Sequence, residues 1–145
     1  MGNFSEDIQS TFANQKIKAM LNVLYTANWI SNCQNEFFKP YGVSPQQYNI
    51  LRILRGADQP LMVQTIKKRM IERAPNATRL MDKLCAKQLI ERIPSTTDRR
   101  VVKIAITENG TQLLKDIPDN LNRELLKNLT ESEAEQLSDL LDKMR

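Results

Sequence analysis

From Ser5 to Lys39 the chain carries neither proline nor glycine, and Phe4, Ile8, Phe12, Met20, Leu24, Ala27, Ile30 and Phe37 recur at spacings of three, four and their sums. That periodicity predicts one long helix. Ser5 is its expected cap, Glu6 and Asp7 suit the positive end of its dipole, and Pro40 with Gly42 stop it. A chain of 145 residues that spends so much of its length on one helix is set towards a mainly helical fold, and its length fits one domain.

The punctuation that follows divides the rest. Ser44-Pro45 is an N-cap followed by a first-turn proline, and Tyr48, Leu51, Ile53 and Leu54 give a second helix ending near Gly56. After the turn residues Asp58, Gln59 and Pro60, the stretch 61–63 reads as one short strand and 64–70 as a third helix, with Ile66 and Met70 on its buried side. A fourth helix is expected from about Ala74 or Pro75 to Lys87. It gathers Ala77, Leu80, Met81, Leu84 and Cys85 in one arc and Asn76, Arg79, Asp82 and Lys83 on the other. This is a helix-turn-helix pattern, although αα-hairpins without such a role share it. Two β-prone runs, 89–94 and 101–106, then flank Ser95, Thr96, Thr97, Asp98, Arg99 and Arg100, a hairpin with an arginine-bearing tip. Thr107 caps a further helix in which Leu113, Ile117, Leu121, Leu125 and Leu129 step by four across a bend or break at Pro118. Thr130-Glu131-Ser132-Glu133 is a capping box for a last helix with Ala134, Leu137, Leu141 and Met144 along a narrow seam. The fold class is therefore mainly α with a small β-hairpin, an α+β winged helix.

Composition removes most chemistry. There is no histidine, the two cysteines Cys33 and Cys85 lie far apart, and no phosphate-binding glycine loop occurs. A structural zinc site, a His-based triad or a Cys-His pair cannot be assembled, so no cofactor, metal or catalytic residue is expected. No apolar run is long enough to cross a membrane and no basic-then-apolar leader is seen, which points to the cytoplasm. The charge is unevenly placed. Residues 64–103 hold 11 Lys/Arg against 4 Asp/Glu, net +7, while the rest holds 10 against 13, net −3. A local excess of that size suits a phosphate-binding surface, and an ordinary solvated basic face is the alternative.

The motifs GVSPQQYNILRIL at 42–54, NATRLMDKLCAKQLIERI at 76–93 and TDRRVVKIAITENG at 97–110, with long helices at both ends, resemble the MarR family of bacterial regulators from roughly Ser5 to Arg145. The wing tip Asp98-Arg99-Arg100, followed by a strand and Thr107-x-x-Gly110, is the sharpest of them. The resemblance implies a single MarR-like domain. Its winged helix-turn-helix lobe would span 42–106, with dimerisation helices at 4–39 and 107–145. It implies a repressor that binds a near-palindromic operator in double-stranded DNA as a homodimer, and for many members release by a small aromatic or phenolic ligand. The chain departs from the family at Gln88, where members usually carry the glycine favoured in a left-handed helix end.

In that frame Asn76 and Arg79 are expected at base edges, adenine for Asn and guanine for Arg. Gln64, Thr65, Arg73, Thr78 and Lys83 are expected at phosphates, which position without specifying. Arg100 is the expected groove or backbone contact of the wing, with Asp98 its orienting partner and Arg99 a further cation; a narrow minor groove attracts arginine. Trp29, Phe37, Tyr48 and Met70 would line a ligand pocket, or else are plain core. Ile8, Phe12, Ile17, Leu137, Leu140 and Leu141 are expected in the dimer interface. Two other readings stay open: a thiol redox-sensing regulator, and a winged-helix module used only for protein contacts. The first is disfavoured because Cys33 has Asn32, Gln34 and Glu36 around it and no cation within a turn. The second leaves the basic excess without a purpose.

Overall fold

The computed structural model describes residues 2–145 and divides the chain into two compact units. The larger, Gln34–Pro118, is the winged helix-turn-helix. It takes in the end of α2 (Gln15–Phe38), a 3-10 turn at Lys39–Tyr41, α3 (Pro45–Ala57), β1 (Leu61–Met62), α4 (Val63–Arg69), α5 (Ala77–Ala86), β2 (Ile90–Pro94), β3 (Val102–Ile106) and α6 (Glu108–Asp116). The smaller unit joins the residues up to Cys33, with α1 (Phe4–Asp7) and most of α2, to Asp119–Arg145, with α7 (Leu121–Leu126) and α8 (Glu131–Met144).

In the larger unit α3 is the central helix. Ser44 caps it with its hydroxyl on the Gln47 N–H at 3.1 Å, and the Gln47 side chain returns to the Ser44 N–H at 3.0 Å, a reciprocal capping box. Gln47 is buried, and its amide also reaches the Leu80 carbonyl in α5 at 3.4 Å, so one side chain starts one helix and braces another. Ile50, Leu51 and Leu54 of α3 meet Ile66, Met81, Leu84, Ile90 and Ile104 in the core. Removing a fully buried Ile or Leu from such a core costs about 2–5 kcal/mol. The three-stranded antiparallel sheet runs β1-β3-β2, with Leu61 opposite Ile104 and Ile90 opposite Ile106.

The single helix expected over 5–39 is broken. α1 is one turn, capped by Asn3 rather than Ser5, Gln9 lies at φ 49°, and α2 begins only at Gln15, where Asn14 accepts the Ile17 N–H at 3.0 Å. The polar run 9–15 explains the break. The Ser10 hydroxyl donates to the Thr11 carbonyl and the Asn14 side chain accepts a backbone N–H, local bonds that compete with a continuous helix. The turn also lets Phe12 stack on Phe4 at 5.2 Å, with Tyr25 at 5.3 Å on the same ring. Other boundaries shift less. Val63 opens α4 instead of closing the strand, and α5 starts at Ala77 rather than at 74 or 75, with Asn76 at its cap. Pro118 does break the C-terminal helical run, and Thr130 with Glu133 forms the expected capping box, which holds the Glu133 carboxyl below the usual glutamate range. Among the described residues no helix is long and apolar enough to cross a membrane.

Candidate nucleic-acid interface

The two faces of α5 separate as the spacing of its residues requires. Ala77, Met81 and Leu84 are buried, while Asn76, Thr78, Arg79 and Lys83 are exposed. Among the described residues the side chains of Asn76, Arg79 and Lys83 have no hydrogen-bond or ion-pair partner, so their donors are available to a ligand. Gln64 and Thr65 sit in the first turn of α4, the former exposed and the latter half-buried. Arg73 lies off both helices, in the elbow 70–76 between α4 and α5.

The helix ends in a Schellman closure. The Gln88 N–H donates to the Cys85 carbonyl at 2.9 Å and the Leu89 N–H to the Leu84 carbonyl at 3.0 Å, and Gln88 takes the left-handed φ of 60°. The chain then turns into β2, and the start of α6 is fastened to this corner. Thr107 donates its hydroxyl to the Gln88 carbonyl at 2.7 Å and its N–H to the Leu89 carbonyl at 3.1 Å, and it accepts the Gly110 N–H at 3.1 Å. A Cβ on Gly110 would lie 2.2 Å from the Leu89 oxygen. The Thr-x-x-Gly motif is thus a clamp between the end of α5 and α6.

At the wing, Asp98 accepts the Arg100 N–H at 2.9 Å and its carbonyl accepts the Val101 N–H at 3.0 Å, while the Ser95 N–H reaches the Val101 carbonyl at 2.9 Å. Asp98 therefore orients the backbone of the tip rather than the Arg100 guanidinium. Arg99 and Arg100 are exposed, with neither guanidinium paired among the described residues. Sequence reasoning missed one link. Asp82, on the outer face of α5, forms an ion pair with Arg92 of β2, fixing the wing strand to that helix and raising the Arg92 pKa through that hydrogen bond. Helical and strand periodicity each place their own residue but not a contact between the two.

The remaining expected residues fall in separate places. Phe37 and Tyr48 belong to an aromatic group with Phe38 and Tyr41, Phe38 lying 4.4 Å from Tyr48 and 5.1 Å from Phe37. Met70 is buried at the elbow, and Trp29 is half exposed in the other unit. Ile8, Ile17, Leu137 and Leu140 are exposed on the smaller unit, Leu141 is half-buried, and Phe12 is half-buried against Phe4. Cys33 and Cys85 are unpaired thiols, both half-buried. Among the described residues no cluster of metal-ligating side chains occurs.

Residues 43–102 match the MarR family profile. The chain is 34% identical over 119 residues to the HTH-type transcriptional regulator MhqR of Bacillus subtilis, covering 79% of this chain and 81% of that protein. A crystal structure of a cysteine-to-serine mutant of Escherichia coli MarR complexed with operator DNA superposes with a TM-score of 0.79 at 27% identity, covering 93% of this chain and 99% of that one. A MarR transcription factor from Planctomyces limnophilus gives a TM-score of 0.70 at 31% identity, covering 91% and 98%. With a relative at this identity along most of both chains, and with the winged helix-turn-helix described above, the chain belongs to the MarR family of transcription regulators.

Proposed function

We propose that the protein is a sequence-specific transcription regulator, most simply a repressor, that binds a near-palindromic operator as a homodimer and is relieved by a small aromatic or phenolic ligand. The observation that carries this reading is the unpaired outer face of α5, Asn76, Arg79 and Lys83, tied by Asp82 and Arg92 to a hairpin whose tip presents Arg99 and Arg100. Operator DNA in the complex of the Escherichia coli relative supports it. In this reading α5 enters the major groove, Asn76 and Arg79 read base edges, and Gln64, Thr65, Arg73, Thr78 and Lys83 hold phosphates. The wing arginines lie along the adjacent minor groove. The protein acts on the chromosome in the cytoplasm and catalyses no reaction.

The two halves of the reader fail differently when mutated. Arg79→Ala removes a base contact and is expected to cost about 1–3 kcal/mol at the operator, relaxing the preference at one position per half-site. Arg100→Ala removes a sequence-tolerant cation. It weakens operator and random DNA alike and lowers the slope of log affinity against log salt by about one phosphate contact per subunit. Titrations of both variants on operator and scrambled duplexes at several salt concentrations separate the two cases. An Arg100→Ala protein with wild-type affinities and salt slope would show that the hairpin does not touch DNA.

A further inference from the structure

Ile71 stands in the elbow between α4 and α5 and is 91% exposed, more than any other large apolar side chain among the described residues. A single exposed isoleucine is ordinary on a protein surface. This one is held outward by its surroundings. Met70 has extended backbone, φ −65° and ψ 134°, in which successive side chains point to opposite sides; Met70 is buried and Ile71 faces out. The Met70 N–H donates to the Ile66 carbonyl at 3.1 Å, the Ile71 N–H donates to the Asn49 side chain at 3.1 Å, and the Glu72 carboxylate accepts from the Gln46 amide at 2.9 Å. Three consecutive residues are thus anchored to α3 and α4. Lys67, Lys68, Arg69 and Arg73 surround Ile71 in sequence, and none has an ion-pair partner among the described residues.

We infer that Ile71 is a specificity determinant: at the operator it packs on the 5-methyl group of a thymine in the major groove, beside the bases that α5 reads. The inference rests on the DNA-binding reading. Asn76, at the cap of α5, follows Ile71 by five positions, a separation of at most about 18 Å even for extended chain. Thymine alone among the bases presents a methyl group in the major groove, so an apolar side chain there separates it from the other three. The cations select the partner. Four unpaired positive charges around an apolar tip suit a surface lined with phosphates, whereas a protein partner would need an acidic rim around an apolar pocket.

The experiment uses the full-length protein. Binding sequences are selected from a randomised duplex pool with the wild type, Ile71→Ala and Arg79→Ala. The wild-type pool is expected to hold a thymine at one position per half-site, next to those that Arg79→Ala relaxes. The Ile71→Ala pool is degenerate at that position and otherwise unchanged. Replacing that thymine by deoxyuridine deletes the methyl group alone and weakens wild-type binding about fourfold per half-site, the worth of one buried methyl. Ile71→Ala binds the two duplexes equally, as a double-mutant cycle requires of a direct contact, and Ile71→Val, which keeps a branched apolar tip, keeps the preference. Ile71→Ala also keeps the wild-type melting temperature, because the side chain is exposed, and the wild-type slope of log affinity against log salt, because no phosphate contact is lost. The inference is overturned if Ile71→Ala selects the wild-type sequences, if it loses as much as the wild type on deoxyuridine, or if its salt slope falls. The first result would leave Ile71 to a protein partner. A wild type that enriches no sequence fails the DNA-binding reading and this inference with it. A pool that Arg79→Ala alters and Ile71→Ala does not fails only this inference.

Discussion

Gln88 occupies a backbone conformation, φ 60°, that disfavours residues with a Cβ, yet it closes α5 with both Schellman hydrogen bonds intact. Glycine there relieves roughly 1–2 kcal/mol of left-handed strain and gives back about 0.4–1 kcal/mol through the freer unfolded chain. Gln88→Gly is therefore expected to raise stability by about 0.5–1 kcal/mol, read as a higher denaturant midpoint at unchanged slope. A lower midpoint would mean that the strain is absorbed elsewhere. Gly110 shows the opposite case. Its Cβ would collide with the Leu89 oxygen and with Ile106, backbone and core that cannot swing aside. Gly110→Ala is expected to cost several kcal/mol and to lower the melting temperature sharply, where an ordinary helical Gly→Ala change stabilises. The left-handed turn at Gln88 was legible from the helix pattern and the family resemblance together. The clamp was not, because a threonine and a glycine three apart read only as a cap until the Leu89 carbonyl is seen above them.

The elements that the sequence announced best are those with local causes. The N-cap at Ser44, the capping box at Thr130, the break at Pro118 and the hairpin around Asp98 all follow from residues within a few positions of one another. The single long N-terminal helix failed because apolar spacing continues through residues 9–15 while their polar side chains and the Phe4–Phe12 stack favour a turn. The Asp82–Arg92 pair lay beyond any periodicity, as it joins a helix to a strand. Its side chains are about half exposed, so its direct contribution to stability is small, about 0–1 kcal/mol. Its expected effect is on alignment of the wing with α5. Asp82→Arg is expected to weaken operator binding although it adds positive charge, and Arg92→Asp in the same chain should restore much of the loss. If Asp82→Arg alone binds more tightly, electrostatic attraction outweighs the alignment.

At the scale of the whole chain, the smaller unit leaves Leu24, Leu137, Leu140 and Met144 in water, with Leu140 63% exposed. Exposed apolar residues gathered on helices are the mark of an association surface. Light scattering is expected to give twice the 16.7 kDa chain mass, and Leu140→Asp, which disturbs nothing buried within the chain, shifts it to one chain mass and weakens operator binding. A wild-type monomer at micromolar concentration would remove the dimer from the proposed function. The strand order β1-β3-β2 bears on the same question from the other side. Its outer strands are β1, only two residues long, and β2, which carries Glu91 and Arg92 and ends in Pro94, a residue with no N–H to offer. Such margins resist the edge-to-edge growth by which sheets seed aggregates. When concentrated, copies of the chain should therefore meet through their helices rather than their strands, and the short and proline-ended edges should keep the protein from forming fibres.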